Sequence, residues 1–185
     1  MKELFEAIRA GDSSRVAELV AADPSLAIFA ASIEGDCAQL ETLLAADRAL
    51  LTAISTDGWT PLHLAAFFGK VDAARLLLKQ GAEVGARSTN AMQNMPLHAA
   101  AAGRHAGVIK LLIDHGAPVN ARQHGGWTPL QAAAQNGDLE SARILVAAGA
   151  DVQARADNNQ TALDLALTKG HQAMVELLES NGASL

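Results

Sequence analysis

The sequence predicts an all-α solenoid, a stack of short helical hairpins, and three observations predict it. A repeated Leu stands at positions 62, 97, 130 and 163, spaced by 35, 33 and 33 residues. A Gly-Ala pair beginning at Gly81, Gly116, Gly149 and Gly182 keeps the same three spacings. Half of the chain is hydrophobic but only 3% is aromatic, so the apolar content is mostly Ala and Leu. That is the composition of helices packed closely on small side chains. A unit of this length cannot bury its apolar stripe alone, so neighbours must stack into an elongated array.

Each unit justifies its own elements. Thr60 is suited to cap a helix, and Pro61 fits the first helical position, where its missing donor costs nothing. Leu62, Ala65 and Ala66 then fall on one face at i, i+3, i+4 spacing. Gly69 is expected to end this helix in a left-handed conformation. A second helix follows over VDAARLLLKQ, with Leu77 and Leu78 inward, and Gly81 ends it the same way. The stretch GAEVGARST is short, polar and glycine-bearing, which suits an extended turn.

These residues resemble the ankyrin repeat family. The segments DGWTPLHLAAFFGKVDAARLLLKQGAEVGA and GGWTPLQAAAQNGDLESARILVAAGADVQA follow the family pattern almost throughout, and APVNAR after Gly116 is also typical. The resemblance is strong from about residue 55 to the C-terminus. It implies short β-hairpin-like fingers between the later units.

The first third is more divergent. Gly11 and Gly35 hold the place of Gly69, only 24 residues apart, too close for a full finger. Asp23 and Asp47 replace the glycine that closes a unit, and Pro24 follows the first as a helix stop. Residues 1–54 therefore read as two degenerate capping hairpins. Four repeats follow at 55–87, 88–122, 123–155 and 156–185, giving about six hairpins in a single domain. The polar outer face of HQAMVELLES reads as a soluble cap, so the array is expected to end there.

Two residues are inserted in ARSTNAMQNMPLH, either as a tolerated loop or as a longer finger presenting Ala91, Met92 and Asn94. Met95 replaces the capping Thr, so its helix loses that bond unless Asn94 supplies it. Arg104 occupies a terminator position with Gly103 just before it. Because a left-handed Arg costs about 1 kcal/mol relative to Gly, the turn is expected to shift by one residue.

Composition excludes several functions. The formal net charge is −6 with no dense Lys/Arg run, which disfavours nucleic acid. No basic amphipathic stretch suits a membrane surface, and no apolar run approaches the ~18 residues of a span. The one cysteine, Cys37, cannot form an internal disulfide, and MKELFEAIRAGD is too charged for a signal peptide. A cytoplasmic, soluble monomer is expected. Six histidines raise the question of metal, but none pairs with a second His or Cys at ligand spacing. No nucleophile elbow, phosphate loop or zinc-protease motif is present, so neither a catalytic residue nor a cofactor is expected.

The family resemblance implies a non-enzymatic module that binds a protein on the concave face made by the fingers and the first helix of each unit. The positions it points to are Trp59, Phe67 and Phe68, then Met92, Asn94 and Ala102. They continue with His124, Trp127, Gln135 and Asn136, and end with Asn158, Gln160 and Lys169. Four of the six aromatic residues fall on this face, with Phe5 and Phe29 left to the capping pair. They serve either as binding anchors or as local packing. Two other readings stay open: a small-ligand receptor or enzyme-regulating subunit with a pocket around His98 or His124, and a self-associating structural unit.

Overall fold

A computed structural model describes residues 1–184. Among them are twelve α-helices and no strand. In chain order these are α1 (Lys2–Ala10), α2 (Ser13–Ala22), α3 (Ala27–Glu34), α4 (Cys37–Ala46), α5 (Pro61–Phe67) and α6 (Val71–Lys79). They continue as α7 (Pro96–Gly103), α8 (Ala106–Asp114), α9 (Pro129–Asn136), α10 (Leu139–Ala147), α11 (Ala162–Lys169) and α12 (Gln172–Ser180). Each odd-numbered helix pairs with the even-numbered helix that follows it. The odd-numbered helices also pack on one another in sequence from α1 to α11, and α4, α6, α8, α10 and α12 form a second row.

The core between the rows is built on alanine. Ala65, Ala66, Ala99, Ala100, Ala101, Ala133, Ala134 and Ala166 are fully buried, with Leu62, Leu97, Leu130 and Leu163 beside them. Small side chains on the odd-numbered helices let their backbones approach, while the repeated Leu fills the space toward the second row. The glycines that close the later units, Gly81, Gly116, Gly149 and Gly182, all take positive φ, as their spacing predicts.

The first two hairpins close differently. Asp23 and Asp47 are extended, with φ of −138° and −146°, and each caps a short 3-10 turn, Pro24–Leu26 and Arg48–Thr52. Their carboxylates accept from Ser25 N at 3.1 Å and Ala49 N at 2.9 Å. An Asp can terminate and restart the chain in this way without a left-handed residue.

The connections expected to be β-hairpin-like are turns, each closed by a backbone bond between its end residues. Ser55 N donates to Trp59 O at 2.9 Å, Gln123 N to Trp127 O at 2.9 Å and Ala156 N to Gln160 O at 3.0 Å. Five residues leave room for one such bond and no ladder. In the lengthened finger the bond runs from Ser88 N to Asn94 O at 2.8 Å. Asn90 holds the inserted residues there: it accepts from Met92 N at 3.0 Å and donates to Asp57 O at 2.8 Å. Adjacent fingers are joined by one backbone–backbone bond each, Thr89 N to Gly58 O, His124 N to Met92 O and Asp157 N to Gly125 O.

Two local expectations are corrected. The turn at Arg104 does not shift: Arg104 itself is left-handed, at φ 63°. Gly103 stays helical because it is pressed against the preceding unit, where a Cβ would overlap the carbonyl oxygen of Phe67. Asn94 does not cap α7 either. Met95 remains the N-cap residue, without a side-chain cap bond. The Asn94 carboxamide is buried instead, its Oδ1 without a partner.

Candidate partner-binding face

The face begins with the residue at the third position of each odd-numbered helix from α5 onward. His63 Nε2 donates to Asn94 O at 3.1 Å, and its Nδ1 accepts from the Thr60 hydroxyl at 2.8 Å. His98 Nε2 donates to Ala121 O at 3.0 Å and to Trp127 O at 3.3 Å. Gln131 does the same without an imidazole, donating through Nε2 to Gln160 O at 2.8 Å and Ala154 O at 3.2 Å. The carbonyls of Asn94, Trp127 and Gln160 therefore each accept twice, from their own finger and from the preceding helix. Each of these three fingers is fixed to the first helix of the unit before it.

Burial holds both histidines neutral, with pKa values lowered to about 4, the bonded carbonyls pulling weakly the other way. The fourth member of the series, Asp164, can only accept. Its Oδ2 takes the Thr161 N–H and hydroxyl, both at 2.8 Å, which lowers its pKa.

Arginines brace the same fingers from outside. Arg87 donates to Gln93 O at 3.0 Å and to Arg122 O at 3.1 Å, and Arg122 donates to Arg155 O at 2.8 Å. Arg155 closes its own finger on Asn159 O at 3.0 Å. This ladder of donors to carbonyls was not anticipated, although the three arginines sit at matching places in their units.

Another missed relationship joins successive units at their inner turns. α2, α4 and α10 are capped by Asp12, Asp36 and Asp138, whereas Lys70, His105 and His171 begin α6, α8 and α12 without a cap bond. The side chains of these three lie over Gly35, Gly69 and Gly137 of the preceding unit. His171 Nε2 also donates to Gln135 O at 3.2 Å. Asp138, which follows Arg104 in the same register, turns back to Ser141. Arg104 is thus followed in that register by neither Lys nor His, and no ring competes with its side chain.

Most of the residues expected to face a partner are accessible. Met92, Ala102, His124, Gln135, Asn158 and Lys169 are exposed, and Trp59, Phe67, Phe68, Trp127, Asn136 and Gln160 are half-buried. Asn94 is the exception and is buried, because its N–H and carbonyl are anchored to Ser88 Oγ and His63 under the lengthened finger. Some of the polar members also hold the fold, within a turn or across to the preceding unit. Asn158 donates to Gln160 Oε1 at 2.6 Å, and Asn136 donates to Ala101 O and Ala102 O at 3.4 Å.

The aromatic residues do not form one even strip. Trp59 stacks on His63 at 6.2 Å and meets Phe67 edge-on at 5.2 Å, and Phe67 meets Phe68 at 5.3 Å. Phe5, assigned from sequence to the capping pair alone, joins them against Phe68 at 5.7 Å. Together with Ile8 and Ile33 these rings line a hollow of about 620 Å³, rimmed by Arg9, Asp57 and Lys70. Trp127 stands apart, its indole against Gly125 of its own finger. Of the two histidines considered for a pocket, His98 is buried with both ring nitrogens engaged, and His124 is exposed.

Comparison with known families gives one description along the chain. A family model of ankyrin repeats, in three copies, matches residues 4–88, 84–156 and 126–185.

Proposed function

Because the chain belongs to the ankyrin repeat family, whose members are generally protein–protein interaction modules and typically not enzymes, we propose that it binds a protein on its finger and first-helix face. The observation that supports this reading most is the double use of the carbonyls at Asn94, Trp127 and Gln160. It holds accessible side chains on successive fingers in a fixed order, and preorganised groups bind without the entropy cost of ordering them. Trp59, Phe67, Phe68 and Trp127 supply apolar anchors, and Met92, His124, Gln135, Asn136, Asn158 and Gln160 supply the surrounding contacts.

In this reading residues 1–54 are two shortened capping hairpins and the four units from residue 55 are the recognition array, six in all, with the turns between them serving as fingers. The protein acts as a monomeric scaffold in the cytoplasm. A single half-buried thiol, Cys37, is consistent with a reducing compartment. No helix among the described residues is long and apolar enough to cross a membrane.

Replacing Trp59, Phe68 and Trp127 together with Ala tests this. The helical circular dichroism should persist while capture of a native protein partner is lost. Undiminished capture by a folded triple variant removes the aromatic residues from the binding role.

A further inference from the structure

The hollow beside the first finger is lined from α1, α3, α5 and the finger itself. The chain enters α3 through the single turn Pro24–Leu26, so no finger stands on the N-terminal side of Ser55–Trp59. Each later finger is bonded to the one before it. In that vacant place Phe5, Phe68, Phe67 and Trp59 form a continuous chain of ring contacts. Their wall encloses about 620 Å³, more than one side chain fills and within the range of sites that take a ligand or several anchor groups.

The rim carries charge of the opposite sign to the chain. Arg9 and Lys70 border the hollow against one acid, Asp57, on a protein of net charge −6. Among the described residues neither cation has a carboxylate within ion-pair distance. Glu34 and Asp72 lie past Lys70 around a shallower depression. Apolar walls with unpaired cations at the edge select an apolar segment that carries negative charge, because both terms then favour the same occupant.

We propose that this hollow receives a short segment of the protein partner in which two bulky apolar side chains neighbour an Asp or Glu. The apolar pair fills the space between Ile33 and the aromatic wall, and the acid meets Arg9 and Lys70. The proposal rests on the protein-binding reading above and narrows it to a recognition chemistry at one end of the face.

Selection of a displayed library of short random peptides against the protein tests it. Enriched peptides should pair two bulky apolar residues with an acid, and the charge-reversal variant R9E/K70E should bind them at least about tenfold more weakly. Their counterparts with Lys in place of the acid should bind that variant better than the wild type. Circular dichroism verifies that R9E/K70E is folded, and F68E gives a second reading by placing a carboxylate in the apolar wall. Enrichment of peptides without acids, equal binding to R9E/K70E and F68E, or no enrichment overturns the proposal. If enriched peptides lose binding only on Q135A/N158A, the hollow is not the site, yet the finger face still binds protein. Enriched peptides unaffected by any of these variants tell against both readings.

Discussion

His63 reaches 31 residues along the chain to donate its Nε2 proton to the carbonyl of Asn94, at 3.1 Å. That bond crosses from one unit to the next, and His98 and Gln131 repeat it. Together with the bond that Nδ1 accepts from Thr60, it requires a neutral imidazole with the proton on Nε2. The stacking of units therefore carries a dependence on pH.

The pKa of each histidine is lowered to about 4 in the folded chain, against about 6.5 when unfolded. The unfolded state then binds more protons between these values, so stability falls as pH falls from about 6.5 to 4. Each residue contributes on the order of 3 kcal/mol to that loss. Gln131 already makes equivalent bonds without titrating. In urea unfolding at neutral pH and near pH 4.5, H63Q/H98Q should lose distinctly less stability than the wild type. An equal loss would assign the acid sensitivity elsewhere.

Arg104 and Gly69 predict opposite outcomes at matching places. Arg104 is exposed and left-handed, so Arg104→Gly should stabilise the chain by about 1 kcal/mol in urea unfolding. At Gly69 an added Cβ would meet the His105 ring as well as the positive φ. Gly69→Ala should therefore destabilise by more than the about 1 kcal/mol expected from backbone strain alone.

Arg122 links two fingers through Arg155 O and an ion pair with Asp157 at 3.4 Å, with about half of its side chain exposed (49%). Such a brace is worth about 1 kcal/mol or less globally. Its local effect is larger. Arg122→Ala should speed hydrogen exchange at the Asp157 amide, which bonds to Gly125 O at 2.9 Å, while the amides of α9 stay protected.

The helices and their period are legible in sequence because their signals are local: a Thr-Pro start in two units, and a Leu, a buried Ala and a closing Gly in each of the last four. What crosses between units is not. Lys70, His105 and His171 follow the terminator position in their own units, and only superposing the units shows that each covers a glycine of the preceding one. Asn94 aligns with Trp59 and Trp127, so it reads as a surface residue. The two-residue insertion instead folds a longer finger over it. Phe5 reads as part of a cap because its sequence neighbours are degenerate, yet helix packing brings it to Phe68. Arg104 defeats the glycine rule through Gly103, whose close approach to Phe67 holds the turn in register.

Hydrogen exchange with a captured native partner tests most directly which side of the stack meets a protein. Binding should slow exchange in the fingers and in α5, α7, α9 and α11, and leave α6, α8, α10 and α12 unchanged. Protection confined to the even-numbered helices would contradict the account.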